Sequence, residues 1–151
     1  MTTQFDTLIS LAQTRTDDAA RELALRMNQA RDAEYKCVAL ATYRDEYRIR
    51  LEEMTRNGAA ALTLNNFRAF VAKLDEAVQI QQGEAARRQH AVAEARGLWQ
   101  REQRQLRSYT TVQARRDDAR RRHDSKIEQK QQDEQSARGF FFGAPRAAFA
   151  H

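Results

Sequence analysis

The sequence predicts an all-α fold, a long antiparallel two-helix coiled-coil hairpin, on three observations. Backbone breakers are scarce, two apolar seams of equal length run at heptad spacing, and an Asn-Gly pair separates them. The 151 residues include 5 Gly and 1 Pro, about a third of the share that average usage supplies. Hydrophobic residues make up 41% and charged residues 31%, with a mean hydropathy of −0.85. That is too few apolar groups for a conventional globular core of this length. Few tight turns are available, so a β-sandwich, a doubly wound sheet and a barrel are excluded.

The first arm follows from a 4-3 spacing of apolar side chains, which places them on one seam of a helix. With Ile9 at an a position, the a/d series is Ile9, Ala12, Thr16, Ala19, Leu23, Arg26, Ala30, Ala33, Cys37, Leu40, Arg44, Tyr47, Leu51 and Met54. Eleven of these fourteen are apolar. The helix is expected over about residues 6–54, ended by Asn57-Gly58, the strongest breaker pair in the chain.

The turn is expected over about residues 55–65, with Thr63, Asn65 and Asn66 as N-cap candidates, because their side-chain oxygens can accept from the free amides of a first helical turn. The second arm, about 66–113, carries Phe67, Val71, Leu74, Val78, Gln81, Ala85, Arg88, Val92, Ala95, Trp99, Glu102, Leu106, Tyr109 and Gln113, of which ten of fourteen are apolar. Each seam spans roughly 70 Å at 1.5 Å per residue. Folding back at residue 58 lets the arms cover each other, so a monomeric hairpin is expected. Arg26, Arg44 and Arg88 interrupt the seams and are expected to fix register. Gly83 and Gly97 mark soft points in the second arm.

Past Gln113 the seam fails. Residues 114–138 are expected to form a solvated, charge-rich helical extension, so that 1–138 is a single hairpin. Gly139, Gly143 and Pro145 are expected to end the helix and leave residues 139–151 as a disordered aromatic tail. The net charge is +5. Residues 113–151 hold 9 Lys/Arg against 6 Asp/Glu, so the basic character lies toward the C-terminal end.

Composition also bounds location and chemistry. The lone Cys37 can form neither an internal disulfide nor a cysteine-based zinc site, which suits a reducing compartment. The start, Met1 to Asp6, lacks a basic segment followed by an apolar one, and no run of 18 apolar residues occurs, so neither a signal peptide nor a membrane span is expected. His90, His123 and His151 have no metal-ligand spacing. His123-Asp124-Ser125 holds the residue types of a catalytic triad, but neighbours on a helix point about 100° apart. No glycine-rich phosphate loop is present. No enzyme activity, cofactor or metal is expected.

Two places suggest binding. Lys36, Leu40, Tyr43 and Tyr47 share one helix face, as do Phe70, Leu74, Ala77 and Gln81, and a hairpin turning near residue 58 sets these faces opposite each other. Tyr43 and Phe70 lie off the seam, and large aromatics so placed suggest a docking patch, although they would equally well broaden the core. Arg115, Arg116, Arg120, Arg121 and Arg122 form a basic cluster. Asp117, Asp118 and Asp124 intervene and no aromatic residue is interleaved, so nucleic acid is not the expected partner.

These residues give the chain a resemblance to the FliJ family, the small coiled-coil component of the bacterial flagellar type III export apparatus. The resemblance covers about Phe5 to Arg138. It rests on residues 40–47 before the turn, 66–77 after it, Leu98-Trp99, residues 106–109 and the charged stretch 129–134. It implies an antiparallel two-helix fold like the stalk subunit of rotary ATPases. It further implies a cytoplasmic location, peripheral at the inner face of the membrane with the export apparatus. As implied partners it brings the central pore of the hexameric export ATPase, the cytoplasmic domain of the membrane export gate, and export chaperones.

By this resemblance the gate-binding patch is Leu40, Tyr43, Tyr47, Phe70, Leu74 and Ala77. Lys36 and Gln81 depart from the family's pattern, as does the tail 140–151. Arg115, Arg116, Arg120, Arg121 and Arg122 are expected to face acidic loops of the ATPase. A component of a virulence injectisome, or a basic nucleic-acid-binding or scaffold coiled coil, is the alternative.

Overall fold

A computed structural model describes residues 3–142. Two helices account for nearly all of them: α1, Gln4–Arg56 (53 residues), and α2, Ala61–Phe142 (82 residues). They pack against each other as an all-α helical hairpin. The chain divides into two compact units, Ser10–Gln105 and a second made of Met1–Ile9 with Leu106–His151.

In the Ser10–Gln105 unit the turn is tighter than expected. Asn57 donates to the Glu53 carbonyl at 3.0 Å, Gly58 to Thr55 at 3.4 Å and Ala59 to Met54 at 3.1 Å. With Gly58 at φ 76°, this is a Schellman stop, which occupies carbonyls the last helical turn would otherwise leave unpaired. The left-handed φ is what glycine supplies without a steric cost. The Ala60 carbonyl already accepts from Leu64 at 3.0 Å, so α2 starts at Ala61. Thr63, Asn65 and Asn66 therefore lie inside the helix and cap nothing, and the turn is residues 57–60 rather than 55–65.

The seam of this unit is built from small side chains. Ala12, Ala19, Ala30, Ala33, Ala85 and Ala95 are buried, with Val71, Val78, Val92, Leu74 and Cys37. Alanines let two backbones approach, and Gln81 Nε2 donates to the main-chain oxygen of Ala33 at 3.3 Å. Every seam position named from the sequence in either arm is buried or half-buried. Buried Thr16 returns its hydroxyl to the Ala12 carbonyl at 2.8 Å, so its polar atom is satisfied within its own helix.

The arginines within the seam reach partners. Arg26 Nε binds Glu22 at 2.8 Å and Arg88 Nε binds Glu84 at 2.9 Å. Both also donate to Gln29 Oε1, at 3.4 Å each. Glu84 holds its carboxyl below the usual range because Arg87 and then Arg88 donate to it. The pairing of Arg26 and Arg88 through one amide joins the helices at a single register.

In the second unit α1 opens on a reciprocal cap. The Asp6 amide donates to Thr3 Oγ1 and the Thr3 amide to Asp6 Oδ2, each at 3.1 Å, a capping box closed by aspartate instead of glutamate. α2 continues through Gly139 to Phe142, which corrects the expected end at residue 138. A glycine lowers helix propensity by about 1 kcal/mol relative to alanine, a cost one residue can carry without ending a helix. Residues 114–141 are exposed throughout, so none of their seam-template positions is covered. The expected tail beyond Phe142 lies outside the described residues.

Candidate docking surface

The aromatic cluster belongs to the Ser10–Gln105 unit. Leu40, Tyr43 and Tyr47 follow one face of α1 at spacings of three and four, and the hairpin brings Phe67 and Phe70 of α2 to them. Tyr47 is the hub. Its ring meets Tyr43 at 4.7 Å, stacks on Phe67 at 5.4 Å with an interplanar angle of 30°, and meets Phe70 edge-on at 4.9 Å. The Arg50 guanidinium lies 5.2 Å from the Tyr47 ring centre, a cation–π distance.

The hydroxyls are also joined. Tyr43 donates to the Tyr47 oxygen at 3.0 Å. That bond, followed by partial desolvation, pushes the Tyr43 phenol above its ordinary value.

The six residues expected to form a patch occupy different depths. Leu74 is core, 8% exposed, while Tyr43 is 42% and Phe70 39% exposed. Leu40, Tyr47 and Ala77 are half-buried. Leu74 thus packs the seam, and Tyr43 and Phe70 form the accessible rim. Phe67 and Arg50 join the cluster without any sequence pattern that marks them as part of a patch. The heptad template gives Phe67 only as a seam residue, and the one signal for Arg50 is its place one turn after Tyr47.

Beside the rings, Arg48 donates to Asp75 Oδ1 at 2.7 Å and Arg44 lies 3.5 Å from the same oxygen. Arg44 and Arg48 also pair with Asp45, at 3.1 and 3.8 Å. The Arg44 interruption of the first seam is therefore an inter-helix link.

The basic cluster belongs to the other unit. Arg115, Arg116, Arg120, Arg121 and Arg122 are all exposed, but they do not share one stripe. At 100° per residue, Arg116 and Arg120 lie near one line and Arg115 and Arg122 near another. Arg116 sits over the Phe5 ring, 4.8 Å from its centre, and Phe5 meets Tyr109 edge-on at 6.2 Å. An aromatic partner thus comes from the other helix, where the sequence around the arginines has none. Gln113 donates to Asp6 Oδ1 at 2.7 Å. Arg121 is paired with Asp118, which lowers the Asp118 carboxyl and raises the guanidinium. Arg115, Arg120 and Arg122 have no ion pair among the described residues.

Among the described residues no three His, Cys, Asp or Glu side chains converge as metal ligands. No described helix is long and apolar enough to cross a membrane. The Ser10–Gln105 unit offers paired rings, and the other unit offers exposed guanidiniums.

Residues 1–143 match the family described as the flagellar FliJ protein. The chain belongs to the FliJ family. It is 29% identical over 129 residues to the flagellar FliJ protein of Salmonella typhi, covering 85% of this chain and 88% of that protein. It is 27% identical over 128 residues to the flagellar FliJ protein of Escherichia coli K12, covering 85% and 87%. The FliJ match includes both helices, the turn at Gly58 and the aromatic cluster.

Proposed function

We propose that this chain is a non-enzymatic connector of the flagellar export apparatus, docking the cytoplasmic domain of the export gate through the rings beside its turn. Its family makes it a flagellar export-related protein. The observation that carries the finer reading is the exposure of Tyr43 and Phe70 on either side of a half-buried Tyr47. Such rings offer a partner apolar area already held in place, so little side-chain entropy is lost on docking. In the same reading Arg115, Arg116, Arg120, Arg121 and Arg122 face acidic loops in the central pore of the hexameric export ATPase. Empty export chaperones are a third partner class. The protein acts in the cytoplasm, peripheral to the inner membrane face.

The names of both relatives are flagellar, which favours this setting over a virulence injectisome. The test is to express the chain in a flagellated bacterium lacking its own FliJ protein. Restored motility and co-purification of the export ATPase are expected. Reversal of the five arginines to glutamate should abolish that association, and unchanged recovery of the ATPase would refute the assignment of the basic end.

A further inference from the structure

We infer that a groove on α1 between Tyr35 and Tyr43 receives a partner's aromatic side chain carried next to a carboxylate. The inference rests on the docking reading above and specifies the chemistry of what docks. The groove has a volume of ≈ 480 Å³ and is lined by Tyr35, Lys36, Ala39, Leu40, Tyr43 and Gln81. Leu40 and Tyr43 belong also to the aromatic patch, so the groove is continuous with it.

Its shape follows from helix geometry. Tyr35, Ala39 and Tyr43 are four residues apart in succession and share a face, with the two tyrosines about 12 Å apart along the axis. The small Ala39 leaves a floor between two rings, wide enough for one more ring. Tyr35 is 77% exposed and makes no ring contact among the described residues. The fold therefore gains little from it, and an aromatic left in water beside an apolar recess points to a ring brought by something else.

The charge decides which ring. Lys36 is the one charged residue lining the groove, and it has no ion pair among the described residues. An ammonium at the edge of an apolar recess favours a ligand with an adjacent carboxylate over a neutral or basic one. A nucleobase would stack equally well, but its phosphates would require several cations, and the lining supplies one.

The test is an amide-resolved NMR titration of the full chain with acetyl-Asp-Phe-amide. Acetyl-Asn-Phe-amide and acetyl-Asp-Ala-amide serve as controls. Shifts at Ala39, Leu40 and Gln81 are expected with Asp-Phe, reduced at least twofold with Asn-Phe and lost with Asp-Ala. Tyr35→Ala and Lys36→Glu, both at exposed positions, should keep the helical circular dichroism and lose the response. Equal shifts with Asn-Phe, or shifts confined to the Tyr47–Phe67 rings, would overturn the inference. A second arm separates the two readings. If Phe70→Ala weakens binding of the gate's cytoplasmic domain and Tyr35→Ala does not, the groove fails and the docking patch stands.

Discussion

The edge of Phe70, from α2, meets the ring of Tyr47, from α1, at 4.9 Å and 64°. Tyr47 has rings or a guanidinium around it from Tyr43, Phe67, Phe70 and Arg50, whereas Phe70 keeps 39% of its surface in water. One ring of the pair therefore closes the hairpin near its turn, and the other remains available to a partner.

That division predicts a difference in stability. Tyr47→Ala should lower the unfolding free energy by about 2 kcal/mol, and Phe70→Ala by about 1 kcal/mol, because the half-exposed ring loses less contact. Denaturant melts followed by circular dichroism measure both. Leu74→Ala, at a buried seam position, should cost about 3 kcal/mol, and a smaller loss than for Phe70→Ala would contradict the depths assigned to these residues.

Arg48 and Asp75 link the helices through side chains 48% and 34% exposed. A pair so open to solvent should show a coupling of about 0.5 kcal/mol in a double-mutant cycle. The coupling should shrink as salt is raised from 0.05 to about 0.5 M. Arg44 shares the carboxylate, so the cycle repeated in Arg44→Ala should give a larger value.

Gly97 offers a gain. A methyl group built there meets nothing within 4 Å, and the residue lies inside α2. Gly97→Ala should stabilise the hairpin by about 1 kcal/mol, raising the thermal midpoint by roughly 3 °C. No change would mean that the helix is already frayed at this point.

The cap at Thr3 and Asp6 carries a pH dependence. Hydrogen bonds from the Thr3 amide and hydroxyl hold the Asp6 carboxyl below its ordinary value. A depressed carboxylate adds stability above its unfolded pKa, about 3.9, and loses it as pH falls through the lower folded value. Amide-exchange protection of the first turn of α1 should therefore be constant above about pH 5 and fall below pH 4. Asp6→Asn should remove that fall.

Much of this was legible in the sequence because helix periodicity is a strong signal. The heptad template located the seam in both arms, and Arg44 and Arg88 proved to be inter-helix links. Periodicity assigns a face, however, and not a depth. Leu74 and Phe70 are four residues apart on one face of α2, yet one is core and the other rim, a difference set by how α1 crosses them. Thr63, Asn65 and Asn66 have the residue types of helix caps, so the sequence pattern puts the start of α2 too late. Gly58, Ala59 and Ala60 complete the reversal with main-chain bonds alone. Phe5 and Arg116 stand 111 positions apart in sequence, so no local pattern could have joined them.

Docking of the export gate by the exposed rings beside the turn underlies the proposed function. It is tested most directly by measuring the affinity of the gate's cytoplasmic domain for the Tyr43→Ala/Phe70→Ala double variant, with helical content checked by circular dichroism. A folded hairpin whose affinity falls at least tenfold, about 1.4 kcal/mol, is expected. A folded double variant that binds as tightly as the unaltered chain would contradict it.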